Sequence, residues 1–428
     1  MRRKKHSSFP FISILLLCLL LFALVGLMQK ADISSLSSVL AGLLPAKEAV
    51  SASDGLSFIS SAPSGETDTA SGPASAEASA EKSSDTDDTA ASVDNCYAYY
   101  YQQISSTEKQ LYQSIYTGVA ARTDTIELPT TDTDTVHRLY HFVLYDHPEL
   151  FWCIGSSQSN VYSNRIEFMP DYSCSQEEIT QRKAAIEQAA SACLSELSAN
   201  ASDYEKVRFV YTWLVNNVDY DQNASDNQNI YSSMVGHASV CAGYAKGMQY
   251  LLSKLSVPCI YITGTLSSGG THAWNMVQCN GKWYQVDATF GDPVFQNTQD
   301  IPEDNISYAY LCCTDAQFNG SHRPDEDITF PVCNSIDLNY YVQNGRFIFS
   351  YDHEALKDLV AKAVTEGKDG FTLQCANSAT YKEVCTDLLD TIVPDVSNTY
   401  MQMHNLKKVR YKYSQDGEML VFTLYWTE

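Results

Sequence analysis

The sequence predicts an α+β protein, and three observations predict it. Asn280-Gly281 lies between two apolar runs, the strongest short-range signal for a two-residue type I′ hairpin. Just upstream, Tyr244, Met248, Leu251, Leu252 and Leu255 recur at helical spacing, so one helix face is apolar. Both flanks of this stretch read as helices mixed with short strands.

The chain has 428 residues, enough for two or three domains. Residues 1–30 open with MRRKKH and continue into an uncharged run of 20 residues, Phe9 to Met28. That length matches a membrane span, and the basic residues before it favour a cytoplasmic N-terminus. An uncleaved anchor is expected, with a cleaved signal peptide as the rival. Residues 31–94 are Ser, Ala, Thr, Gly and acid with almost no large apolar groups. Such a segment cannot bury enough surface to offset its ordering entropy. It reads as a disordered stalk, with a reach of roughly 40–50 Å.

Residues 95–201 form a mixed region. STEKQLYQSIYTGVAAR and TDTVHRLYHFVLYDHPELFW read as helices, QSNVYSNRIEFMP as a strand or hairpin, and SQEEITQRKAAIEQAASACLSELSA as a long helix. Residues 202–330 begin with the amphipathic helix DYEKVRFVYTWLVNNVDYD and contain the hairpin. Residues 331–428 read as a small α+β module that ends in a hairpin at Asp416-Gly417.

A formal net charge of −23 makes nucleic acid a poor partner. Membrane contact is expected only through the N-terminal segment. Thirteen cysteines are present. Outside the cell some could form disulfides, but their pairing cannot be deduced. No paired Cys/His zinc spacing, Walker loop or G-x-G-x-x-G occurs, so neither a metal nor a cofactor is expected.

The hairpin carries the chemistry. With a two-residue turn, Cys279 pairs with Lys282, Trp274 faces Asp287, and His272 faces Thr289. His272 and Asp287 then share a face on a diagonal of roughly 7–8 Å, which side chains can close. A one-residue slip would separate them. A carboxylate that orients an imidazole is half of a nucleophilic triad, and Cys241 offers the nucleophile. With Ser239 as N-cap, Cys241 falls in the first helical turn, where free N–H groups and the dipole favour a thiolate. Its own N–H is a natural oxyanion donor. Trp274 is read as a shield for the pair, and Asp292 before Pro293 as a turn former.

The order Cys241, His272, Asp287, within SVCAGYAKG, THAWN and GKWYQVDATFGDP, resembles the transglutaminase-like core. The likeness spans roughly residues 202–293. It implies a papain-like α+β fold in which the nucleophile helix packs on an antiparallel sheet. It also implies Cys241 as nucleophile, His272 as base and acid, and Asp287 as the orienting carboxylate. Some members use an upstream aromatic in the oxyanion hole, and Tyr220 in NNVDYDQN is the nearest match. In GHASVC, His237 lies near the site in sequence but reads more simply as a loop residue. DHPELFWC and the elements after it resemble the N-terminal part of exported bacterial relatives. The expectation is an extracytoplasmic thiol enzyme acting on protein or cell-wall peptide amides, with hydrolysis favoured over cross-linking. The rival is a surface binding module on the same scaffold.

Overall fold

The computed structural model describes residues 98–292, 306–325 and 328–427. The expected span and stalk lie outside them, as does Pro293. Among the described residues no helix is long and apolar enough to cross a membrane.

The first region contains helices α1 (Tyr99–Gln103), α2 (Ser106–Ala120) and α3 (Thr133–Asp146) with strand β1 (Ile126–Leu128) between the last two. Strands β2 (Cys153–Val161) and β3 (Ile166–Tyr172) follow and join β1 in a sheet of order β1-β3-β2. Then come α4 (Gln176–Leu194) and α5 (Asp203–Asn217). Helices α2, α4 and α5 each start on a reciprocal cap: Ser105 with Glu108, Ser175 with Glu178, and Ser202 with Glu205. Each pair satisfies two N–H groups that the first helical turn leaves unpaired. The segment expected as one helix to Trp152 stops at Asp146, because His147 precedes Pro148 and is pushed out of the helical region; the Asp146 side chain turns inward. It is buried and accepts hydrogen bonds from the N–H groups of Tyr100 and Tyr101 and from the Tyr112 hydroxyl.

A short parallel pair, β4 (Asp219–Tyr220) and β5 (Ala238–Ser239), leads into α6 (Cys241–Lys254). Strands β6 (Cys259–Leu266), β7 (Thr271–Cys279) and β8 (Lys282–Val286) follow, then α7 (Asp315–Phe318) and β9 (His322–Pro324). They make an antiparallel sheet of order β8-β7-β6-β9. The helix lies on this sheet as expected: Tyr244, Met248, Leu251 and Leu252 are buried, and the Asn275 side chain donates to the carbonyls of Ala245 and Ile260.

The remainder comprises α8 (Tyr340–Gln343), β10 (Phe347–Ile348), α9 (His353–Thr365), β11 (Gly370–Cys375), α10 (Ser378–Asp387), α11 (Val393–Met403), β12 (Arg410–Asp416) and β13 (Val421–Thr427). Its sheet runs β10-β11-β13-β12. One buried cluster runs from Tyr99 through the β6–β8 sheet to Tyr341, so residues of the first region and of the hairpin share a core. A second cluster, from Leu356 to Trp426, belongs to the C-terminal module.

Candidate active site

The Asn280-Gly281 turn has the expected geometry. Asn280 has φ 51° and Gly281 φ 77°, both positive as a type I′ turn requires. Cys279 pairs with Lys282, and the ladder runs in register to Asn275 and Val286. Past Val286 the expectation fails in part. The Asp287 N–H turns to the Tyr310 carbonyl at 3.0 Å, so Trp274–Asp287 and His272–Thr289 do not continue the ladder. Instead the chain folds back, and the N–H groups of Thr289 and Phe290 bond Asp287 Oδ1 at 2.8 and 3.3 Å. This curl leaves Oδ2 facing His272, whose Nε2 lies 2.6 Å away. His272 and Asp287 thus meet through this curl and not through the expected ladder, because β8 ends at Val286.

Cys241 is the first residue of α6. Ser239 is not its cap. The N-cap position is Val240, which makes no side-chain capping bond. The Ser239 hydroxyl is instead drawn to the Asn227 carbonyl at 2.7 Å and to Ser232 Oγ at 2.8 Å. The helix start therefore keeps its dipole without a side chain across it. The close fit of the helix on β5 depends on Gly243: a Cβ there would meet Ser239 Oγ at 1.8 Å.

Because Nε2 of His272 is held by Asp287, Nδ1 is left for Cys241, whose thiol is in hydrogen-bond reach of the ring. Burial of His272 disfavours its charge. The Asp287 carboxylate, by charge and by hydrogen bond, and then the Cys241 thiol outweigh that and push it up to about 10. For Asp287 burial also opposes charge, yet His272 and then a second histidine hold it well below the usual carboxylate range. His272 and Asp287 are both buried. Of the eleven described cysteines, all free, Cys241 alone is not fully buried. Burial pushes the thiols of Cys153, Cys193, Cys279 and Cys375 up to about 12, so they stay protonated.

The second histidine is His322, which the sequence reading missed. It sits on β9, with Nε2 3.1 Å from Asp287 Oδ2 and Nδ1 2.8 Å from Ser321 Oγ. Its ring stacks on Phe318 with centroids 3.9 Å apart. His272, Asp287 and His322 have the residue types of a metal site, with donor atoms within 4.8 Å. Their facing atoms, however, are bonded to each other at 2.6 and 3.1 Å. Two ligands of one tetrahedral zinc would stand roughly 3.3 Å apart. As arranged, the three groups suit proton handling.

The other expected site residues separate. Trp274 is buried, stacks on His272 at 6.1 Å and donates its Nε1–H to Gln285 Oε1 at 3.0 Å. Tyr220 pairs with Ser239 across β4 and β5, two residues before Cys241. Burial raises its hydroxyl, a hydrogen bond with Gln222 opposes the rise, and the nearby Cys241 and Asp287 add to it. His237 has φ 54° and closes the turn after Gly236. Its Nδ1 contacts the Asn217 carbonyl at 2.8 Å and its ring faces Trp213. The contacts described for it are structural, none to the triad. Asp292 lies in a turn, its N–H on Thr289, and it is also the buried partner of the Tyr244 hydroxyl at 3.0 Å.

A helix that begins on a cysteine lies on an antiparallel sheet that presents a histidine bonded to an aspartate, and the stretch that carries this arrangement is similar to transglutaminase-like domains. Residues 192–288 match the family model of the transglutaminase-like superfamily. Over 140 residues the chain is 29% identical to Kyphoscoliosis peptidase of Mus musculus and 27% identical to that of Homo sapiens. Each match covers 29% of this chain and 21% of the relative, so the chain spans about a fifth of their length. A crystal structure of a TGase aligns over 32% of this chain and 44% of its own, with 15% identity and a TM-score of 0.24.

Proposed function

We propose that this chain is a thiol enzyme that opens peptide or side-chain amides through a thioester on Cys241. The observation that carries the reading is the buried Asp287–His272 pair, which keeps an imidazolium beside a solvent-reached thiol. The thiolate attacks the carbonyl carbon. The N–H of Cys241 and the Tyr220 hydroxyl would receive the oxyanion. The intermediate collapses, the C–N bond breaks, and the His272 Nδ1 proton leaves with the amine. Water then attacks the thioester, His272 takes one of its protons, and the acid is released. An amine in place of water would give a cross-link by the same intermediate. The name of the mouse and human relatives, a peptidase, supports hydrolysis. The N-terminal sequence supports a membrane-held enzyme working outside the cytoplasm on protein or cell-wall peptides.

The full chain in mild detergent should release amine or new termini from a mixed protein and cell-wall peptide set, and Cys241→Ala should not. No turnover with a reactive thiol would sink the reading. So would a biological effect that survives Cys241→Ala, which would point to a binding module.

A further inference from the structure

A cavity of about 490 Å³ opens beside the start of α6, and the proposed chemistry makes no use of it. Ala242, next to Cys241, is in its wall, and so is Lys246 one turn further along the same helix face. Tyr145 of α3 and Tyr261 of β6 also line it. Tyr261 also packs with Cys241, Ala242 and Ala273, so the cavity and the nucleophile share a wall.

Lys246 is the unusual member. Its ammonium stands 5.5 Å from the centre of the Tyr261 ring. Among the described residues no carboxylate lies within ion-pair distance of it. Among the described lining residues the acid is Asp226, which bonds Arg182 at 2.6 Å and the Asn229 side chain at 2.8 Å, and Asp325 beside the wall accepts from Thr263 at 2.7 Å. The nearby Cys153 thiol is kept neutral by burial. Burial also pulls Lys246 itself down to about 8, so at neutral pH it is still mostly a cation. Lys246 is half-buried on the cavity wall, and a partly desolvated cation with no counter-charge among the described residues carries a cost. A bound anion would offset that cost.

We infer that this cavity is a substrate subsite that takes a carboxylate carried by the residue beside the opened amide, paired with the Lys246 ammonium. The inference deepens the amide-opening reading and rests on it for the word substrate. The carboxylate can come from an acidic side chain or from a chain end, and the probes separate the two.

The test uses the full chain carrying Cys241→Ala, so that binding is read without turnover. Three peptides are titrated by calorimetry: acetyl-Ala-Glu-Ala-amide, its Gln counterpart, and acetyl-Ala-Gln-Ala with a free C-terminus. A peptide with a carboxylate is expected to bind about ten-fold or more tightly than the amide-capped Gln peptide. Whichever acid wins names the source. The preference should vanish in Lys246→Met and partly return in Lys246→Arg. Equal binding of all three, no binding at millimolar concentration, or a preference that survives Lys246→Met overturns the inference. If Lys246→Met does not fold, the comparison among peptides on the parent chain decides alone. Iodoacetamide labelling of Cys241 in the otherwise unaltered chain is measured alongside. An inert thiol with an intact acid preference would remove the amide chemistry and leave the anion site standing.

Discussion

The chain contains two hairpins marked by an Asx-Gly pair, and they turn out differently. At Asn280-Gly281 the loop has two residues and the register follows from the turn. At Asp416-Gly417 the strands close at Asp416 and Val421, so the loop has four residues. There the Asp416 carboxylate takes the N–H groups of Glu418 and Met419, and Leu420, not the glycine, adopts the positive φ of 56°. An Asp side chain that can bond its own following backbone competes with the tight turn. The faces differ as well. The first hairpin buries His272 and its neighbour Asp287, whereas the second buries Phe422, Leu424 and Trp426 in an apolar cluster. Apolar burial stabilises directly. A buried charge needs a partner, and such a pair is retained where its charge is used.

The comparison breaks most sharply at Asp287. Asp287→Asn should lower turnover by roughly ten-thousand-fold, because the imidazole loses its orientation and its counter-charge. Retained turnover would mean the buried pair is only structural. The opposite case is Leu424→Ala in the second hairpin. It should cost about 3 kcal/mol in denaturant unfolding, while Cys241 labelling of the folded protein is unchanged. A loss of labelling would show that the two hairpins are not separable.

His322→Gln sharpens the first case. Asp287 keeps His272 but loses its second donor, and turnover should fall roughly ten-fold. Its readout is the pH profile: the acid limb should move upward, since Asp287 becomes easier to protonate. A uniform drop at every pH would indicate a packing effect. For His272 the sign also runs one way. Its folded value is raised to about 10, so its stabilising share is complete below about 6.5, its ordinary value, and is lost as pH rises through 10. Cys241 labelling at neutral pH should therefore be fast, and in His272→Ala it should slow several-fold. The smallest effect belongs to the second turn. Asp416→Ala should cost about 1 kcal/mol, read as a shift of the unfolding midpoint, with no change in labelling.

What the sequence made legible was local. The Asn-Gly turn set the register as far as Val286, and the apolar spacing from Tyr244 marked the buried helix that Cys241 begins; the meeting of His272 with Asp287 needed the curl beyond the strand. What it hid depended on distant contacts. His322 reaches Asp287 only because β9 pairs with β6 at the far edge of the sheet, and no periodicity near residue 322 announces that pairing. Ser239 reads as a cap until Asn227 and Ser232 compete for its hydroxyl. In the C-terminal module a wide turn, Leu388–Ile392, carries the chain from α10 straight into α11, whose first turn holds Pro394, a residue that in sequence marks a break as readily as a start.

The ten sequestered thiols make the folded protein its own ruler. A small alkylating reagent should mark one position per native molecule among the described cysteines, and that stoichiometry counts competent sites without a substrate. The later, slower marks would each report an opening of the structure around a particular sulfur. Cys375 and Cys385 stand in the C-terminal cluster, and Cys259 and Cys279 in the sheet beneath α6. Their order of appearance in a mass spectrum would rank which part of the molecule breathes first.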